Sequence, residues 1–238
     1  MAIPRYEGAL REIMRRSLYP QRFYQVAGTH KERIEEALRS AETCLSIGPA
    51  EGEIDIFVIQ MFMPNLKEFH GVDLNKDLCG TLKEKMKQVQ KIMPDLEVTV
   101  YQEDAAIWEG LGKEVDVLLC FGTLYNFKDT EAVLHKFNSW LKPGGLQWVT
   151  FNDNKFIGHA MKDSFDIDRG NLFDVSIRDV YAKLGFQIIV DQQASAGVCL
   201  RNPNKEFLQM VLMRPPTDEE LARFIHFIQA RHFDIRER

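Results

Sequence analysis

The sequence predicts an α/β protein in which a mostly parallel central sheet is covered by helices on both faces. Three observations carry that prediction. From Cys44 onward, short apolar runs alternate with stretches of helical periodicity. The first run, within CLSIGPAEGEID, breaks into a loop holding Gly48 and Gly52 and then enters an apolar-rich helix. The second run, in EFHGVDLN, ends on an acid, Asp73, about 20 residues after that loop, the spacing at which a carboxylate meets a ribose.

The elements follow in order. Tyr6 to Arg16 has helical spacing, with Leu10, Ile13 and Met14 on one side, and so has His30 to Glu42, with Ile34, Leu38 and Ala41. Two helices are therefore expected before the first strand. A strand near Leu45 leads to a helix around Ile54 to Met61, a strand at Phe69 to Val72, a helix from Lys76 to Ile92 and a strand from Leu96 to Tyr101. VDVLLCF, Val115 to Phe121, reads as a buried strand. Thr130 to Leu141 reads as a helix that Pro143 and Gly144 stop before LQWVTF. Strand and helix alternating at this pitch give a parallel sheet.

Further on, Ser176 to Leu184 is expected as a helix and Phe186 to Val190 as a strand. Phe207 to Met213 fits either a strand or a helix, because periodicity does not decide so short an apolar segment. Thr217 and Glu220 form a capping box, and Leu221, Phe224, Ile225 and Ile228 give the following helix an apolar stripe for core contact. With no internal repeat, low-complexity tract or linker, residues 1–238 are expected to form one domain.

Composition narrows the class. A chain of 238 residues that is 45% hydrophobic can bury one substantial core. A net charge of -5 argues against a broad phosphate-binding surface, so no nucleic-acid partner is expected. Cys44, Cys79, Cys120 and Cys199 lie far apart without metal-ligand spacing, which suits free thiols in a reduced, cytoplasmic protein and no metal. The N-terminus lacks the apolar core of a signal peptide and no stretch is long enough to span a membrane. A monomer is expected rather than a dimer.

The glycines indicate the cofactor. A dinucleotide fingerprint starting at Gly48 would need glycine where Ala50 and Glu53 stand, and Glu51 and Glu53 put negative charge where helix amides would otherwise attract phosphate. No phosphate-binding G-x-x-x-x-G-K-[ST] string occurs. What remains is a glycine loop that can pass close to an uncharged or zwitterionic ligand, followed by an acid for a ribose diol. Those are the needs of S-adenosylmethionine; the loop as a simple tight turn and Asp73 as a solvated turn acid stay open.

The strings LSIGPAEGEID, GVDLNKDL, VYQEDAAIW, VDVLLCFGTLYNFKD and LKPGGL occur in the order and spacing of class I S-adenosylmethionine-dependent methyltransferases. In detail the chain resembles the histamine N-methyltransferases from about Tyr6 to the helix after Thr217. LYNFKD, for example, resembles that group's Leu-Tyr-Tyr-Val-Lys-Asp. The resemblance implies a Rossmann-like class I methyltransferase fold, with residues 44–190 as cofactor-binding core, 1–43 as helices covering the substrate site and 191–238 as a C-terminal segment. It implies that Gly48, with Pro49 and Gly52, meets the methionine part of the cofactor and that Asp73 binds the ribose hydroxyls. Asp104 and Ala105 then fall at the adenine edge, and Phe121 packs on adenine or the methionine arm. Asp104 as a helix N-cap and Phe121 as ordinary core are the alternatives.

The same resemblance places Tyr125 and Asn126 beside the methyl-accepting ring, where they would orient it, and Phe156, Tyr6 and Tyr19 in the substrate site. Together these sketch an aromatic box for a flat heterocycle or cationic amine. The chain departs from the group in several places. Pro49 and Ala50 replace glycines, Gly122 stands where the group has glutamine, and the ending ARHFDIRER lacks the closing apolar strand. Ile13 to Lys31, where the group has an ammonium-binding glutamate, contains no acid but does contain Arg15, Arg16 and Arg22. The expected activity is methyl transfer to an imidazole or amine nitrogen of a small molecule. A carboxylate-bearing acceptor such as histidine, selected by those arginines, is a second reading, and a cofactor-binding protein without catalysis a third. Displacement at the sulfonium carbon needs alignment and exclusion of water rather than a protein nucleophile, and a neutral ring nitrogen attacks without a base.

Overall fold

The computed structural model describes residues 6–151, 177–196, 198–200, 202–212 and 214–230. The chain divides into two compact units, one built from residues 26–152 and 173–192, the other from 1–25, 153–172 and 193–238.

The first unit holds the sheet. Strands β1 (Thr43–Ile47), β2 (Glu68–Asp73), β3 (Glu97–Gln102), β4 (Val115–Phe121) and β5 (Leu141–Thr150) lie in the order β3-β2-β1-β4-β5, every pair parallel. β1 pairs on both sides and all five of its residues are buried, which is why it reads as a short, nearly continuous apolar run. Helices α4 (Glu53–Phe62) and α5 (Lys76–Gln90) connect strands running one way from β1, and α6 (Thr130–Asn138) connects β4 to β5 on its other side. Right-handed crossovers thereby place α4 and α5 on one face and α6 on the other. On the α6 face Leu45, Ile47 and Leu118 pack with Leu134, Phe137 and Trp140, and α7 (Ile177–Lys183) adds Val180.

At the amino ends of the strands, Asp116 joins three of them. Its carboxylate accepts from the Glu42 and Thr43 backbone N–H, from Thr43 Oγ1 at 2.8 Å and from Lys142 Nζ at 2.7 Å. Burial raises its pKa, but the Lys142 ammonium and the Thr43 and Glu42 donors outweigh that and hold it at about 2.

Several expectations are corrected. Among the described residues three helices precede β1: α1 (Tyr6–Arg16), α2 (Tyr19–Thr29) and α3 (Lys31–Leu38). Pro20 disguises α2, although a proline in the first turn removes an N–H that would lack a partner anyway, and Phe23 and Ala27 of this helix are buried. The helix expected to run to Leu141 ends at Asn138, because Leu141 pairs with Val115 and opens β5. LKPGG thus lies inside a strand: the register passes from Val115–Leu141 to Val117–Leu146, leaving Lys142 to Gly145 as a bulge. Phe186 to Val190 is not a strand. Phe186 donates its N–H to Tyr181 O at the end of α7 and packs on the core, while Ile188 and Ile189 are exposed.

In the second unit α1 packs against α8 (Lys205–Leu212), and α9 (Asp218–Ala230) adds Phe224 to their cluster. The ambiguous Phe207 segment is therefore helical. Asn204 Oδ1 accepts the Phe207 N–H at 2.9 Å, an N-terminal cap that a strand has no use for. The capping box is present: Glu220 N–H donates to Thr217 Oγ1 at 3.1 Å and Thr217 N–H to Glu220 Oε2 at 2.8 Å. Replacing Thr217 by Ala removes one half of it, and we expect a loss of about 1 kcal/mol in urea unfolding.

All four cysteines are free, with Cys44, Cys79 and Cys120 buried and Cys199 exposed. No described helix is long and apolar enough to cross a membrane.

Candidate functional site

The carboxyl ends of β1 and β4 lie side by side where the strand order reverses, the place at which open α/β sheets bind ligands. The Gly48–Gly52 loop starts there. Gly48 has φ +63 and donates its N–H to Val72 O at 2.8 Å, while its own carbonyl accepts from Thr123 Oγ1 at 3.0 Å. A Cβ at Gly48 would stand 2.4 Å from Thr123 Cγ2, so the glycine lets the loops after β1 and β4 close on each other. This use is additional to the approach to a ligand that the resemblance implies. Gly48→Ala combines a left-handed backbone cost of about 1–2 kcal/mol with displacement of Thr123. We expect it to lower stability by about 2 kcal/mol or more in chemical denaturation.

The loop then turns onto the acid. Gly52 donates its N–H to Pro49 O, and Ala50, held at φ +51, donates its N–H to Asp73 Oδ2 at 3.1 Å. The other carboxylate oxygen, Asp73 Oδ1, accepts the Asn75 N–H at 2.9 Å. Each oxygen thus spends one acceptor position on backbone and keeps one, which suits a vicinal diol. Burial pushes the Asp73 carboxyl above its ordinary range, against the pull of the Asn75 and Ala50 amides. Glu51, expected to make the loop negative, is paired with Lys85 Nζ at 3.0 Å.

Asp55 went unnoticed in the sequence. It lies in the first turn of α4, is 1% exposed and accepts from Ser46 Oγ of β1 at 2.5 Å. Burial raises its carboxyl to about 6; the Ser46 bond opposes this and the charge of Asp73 adds to it. Burial and the Asp55 charge push the nearby Cys44 and Cys120 thiols up, Cys120 to about 12. The string GEID carries the signal in retrospect, as an acid among residues that helical spacing turns inward.

At the end of β3 Glu103 donates its N–H to Asp73 O at 3.1 Å, tying the loop after β3 to the end of β2. Asp104 caps a turn: its Oδ1 accepts the Ala106 N–H at 2.9 Å and its carbonyl accepts those of Ile107 and Trp108. Ala105 is buried beside it. Two exposed apolar side chains stand at these strand ends, Leu74 directly after Asp73 and Ile107 three residues after Asp104. Large apolar groups in water beside a polar cradle suit the faces of a flat ring, and nothing in the sequence singled them out.

Phe121 is half-buried and meets Trp148 edge-on, with ring centroids 5.6 Å apart. Tyr125 and Asn126 lie on a 3-10 turn, Leu124–Asn126, just past the carboxyl end of β4. Gly122, in the place of the expected glutamine, donates its N–H to Thr150 Oγ1 at 3.0 Å. Tyr6 and Tyr19 open α1 and α2 in the other unit, and Phe156 and the ending 231–238 lie outside the described residues. The arginines expected to select a carboxylate have partners. Arg15 and Arg16 both bind Glu12, Arg16 also donates to the Cys199 and Asn202 carbonyls, and Arg22 donates to Gln25. Among the described residues no three His, Cys, Asp or Glu side chains group to hold a metal.

Residues 45–147 match a family model described as a methyltransferase domain. No curated protein matches the chain. Among solved structures the chain is similar to one from the complex between the Haloferax volcanii Trm112 methyltransferase activator and a putative methyltransferase. The identity there is 17%, with 85% of this chain and 86% of that one covered and a TM-score of 0.51. A putative methyltransferase from Bacillus halodurans C-125 is 15% identical over 67% of this chain and 69% of its own, with a TM-score of 0.50. Coclaurine N-methyltransferase bound to N-methylheliamine and SAH is 19% identical over 53% of this chain, with a TM-score of 0.43. The chain spans only 34% of that enzyme's length. The fold is the Rossmann-like fold of the Haloferax volcanii and Bacillus halodurans structures.

Proposed function

We propose that this chain, with its methyltransferase domain at residues 45–147, is an S-adenosylmethionine-dependent methyltransferase acting on an imidazole or amine nitrogen of a small molecule. The observation that carries the cofactor is the hydrogen bond from the Ala50 amide to Asp73, which closes the glycine loop onto an acid with acceptor positions to spare. Asp73 would hold the ribose diol, the Gly48–Gly52 loop would follow the methionine arm, and the Asp104–Ala105 backbone would meet adenine. S-adenosylmethionine supplies a methyl carbon activated by its sulfonium. The chain's own part is alignment and exclusion of water, which require no protein nucleophile.

The nitrogen acceptor rests on the resemblance of LYNFKD and on the position of the Tyr125–Asn126 turn at the carboxyl end of β4. Tyr125 and Asn126 would orient a neutral ring nitrogen toward the methyl carbon; Tyr6, Tyr19 and Phe156 are the further acceptor residues that the resemblance implies. A carboxylate-bearing acceptor draws less support, since Glu12 already takes Arg15 and Arg16. The chain would work without a metal, as a monomer, with neither nucleic acid nor membrane as partner, in the cytoplasm.

Calorimetric titration with S-adenosylhomocysteine and, separately, NADH tests the cofactor; micromolar binding of the first alone is expected. Transfer of labelled methyl from S-adenosylmethionine to histamine, and not to histidine, is the expected result for the acceptor. Binding without transfer to any amine would instead indicate a protein that has lost catalysis.

A further inference from the structure

The loop between β3 and β4 contains no regular helix or strand between Glu103 and Glu114, yet it carries the residues placed beside adenine. What holds it comes from α6, about 30 residues further along the chain. Lys136 Nζ donates to two consecutive carbonyls of the loop, Ala105 O at 3.3 Å and Ala106 O at 3.0 Å. The same ammonium lies 5.3 Å from the centre of the Trp140 ring, which is 8% exposed. Trp140 supports the loop a second time. The Trp108 ring meets it at 5.4 Å, and Gly110, at φ +96, passes so close that a Cβ there would lie 2.5 Å from Trp140 Nε1.

This arrangement has a directional consequence. Two carbonyls drawn to one cation are turned toward α6, and the peptide N–H of the residue after each must point the opposite way, since the two groups of a peptide plane are antiparallel. Those two N–H groups go to Asp104, on Oδ1 and on its carbonyl, so Lys136 braces from the α6 side a turn that Asp104 closes from the other. It does so as a cation against carbonyl oxygens, a stronger contact than a neutral hydrogen bond, and beside an aromatic face that favours the charge.

We infer that Lys136 is a positioning residue for cofactor binding, holding from α6 the Ala105–Ala106 backbone in the orientation that meets the adenine ring. This rests on the reading of the loop as the adenine side of the site. Lys136 touches no reacting atom; it acts through the loop.

The test uses the full-length chain with Lys136→Met, which keeps the apolar stem beside Trp140 and removes the donors, and Lys136→Arg, which keeps charge and donors. For Lys136→Met, S-adenosylhomocysteine binding should weaken by about 10-fold in calorimetry. Amide exchange over residues 104–108 should quicken in the free protein. Lys136→Arg should restore most of both. Unchanged binding by Lys136→Met, or unchanged exchange over 104–108, overturns the inference, even if the melting temperature falls. If the wild-type chain binds no S-adenosylhomocysteine, the methyltransferase reading falls and this inference with it. Wild-type binding that Lys136→Met matches overturns only the role of Lys136.

Discussion

Asp73→Ala is expected to abolish measurable binding of S-adenosylhomocysteine while leaving a folded protein. Two hydrogen bonds from ribose hydroxyls to a carboxylate contribute about 1.5–3 kcal/mol each, so losing both weakens binding by about 100-fold to 10,000-fold. The variant also releases the Ala50 and Asn75 amides, which now converge on the two carboxylate oxygens. Ala50 at φ +51 would then lose the partner that holds it in a left-handed conformation. Asp73→Asn separates the two effects, since the amide oxygen still accepts one backbone N–H but the second acceptor becomes a donor. We expect Asp73→Asn to bind at least 10-fold more weakly than wild type while lowering the melting temperature less than Asp73→Ala does. Wild-type affinity in Asp73→Asn would sink the assignment of this acid to the ribose.

The second large effect concerns stability and pH. Asp55 titrates at about 6 in the folded chain against an ordinary 3.8. A folded pKa above the unfolded one means that the native state binds the proton more tightly. Its contribution is fully present below pH 3.8, is lost as pH rises toward about 6, and stays lost above. The folded state of the wild type thereby forgoes about 3 kcal/mol between pH 3.5 and pH 8 that an uncharged residue would keep. Asp55→Asn has no such titration, and its amide oxygen can still accept from Ser46. Whatever constant offset the amide's own packing adds, the stability of Asp55→Asn relative to wild type should improve by about 3 kcal/mol over that range. Urea unfolding of both proteins at the two pH values measures it, and parallel curves would refute it. Cys44, Cys120 and Asp73 are the titratable groups whose charges are coupled to that of Asp55.

A chain that carries an ionisable acid at a cost, in the first turn after its glycine loop, is not optimising stability alone at that position. The structure gives the acid a local task. Ser46 is the last residue but one of β1 and Asp55 the third of α4, so their hydrogen bond spans the whole Gly48–Gly52 loop and fixes its two ends.

Much of this was legible beforehand. Central strands buried on both faces announce themselves as apolar runs, and Val115–Phe121 occupies the residues its sequence indicated. Helix α5 and the capping box of α9 were equally plain, since their signals lie within a few residues of one another. Failures occurred where a distant partner decides. Leu141 could end a helix or begin a strand, and its pairing with Val115 settles the matter. Phe207 to Met213 was undecided until α1 supplied a surface for a helix to cover. Phe186 to Val190 has the composition of a strand, but its leading aromatic ring finds a place in the core instead.

The same division runs through the site. Sequence alone determined the loop and acid that suit an adenosine cofactor, because glycine at a positive φ and a carboxylate at a strand end are properties of residue type and spacing. Tertiary structure alone decided that Thr123 fills the space beside Gly48, that Asp55 is buried under Ser46, and that Lys136 reaches the Ala105 and Ala106 carbonyls. Those contacts join residues 9 to 75 positions apart. A pattern in one dimension records what each residue can do, whereas which partner it meets depends on how the strands and helices pack.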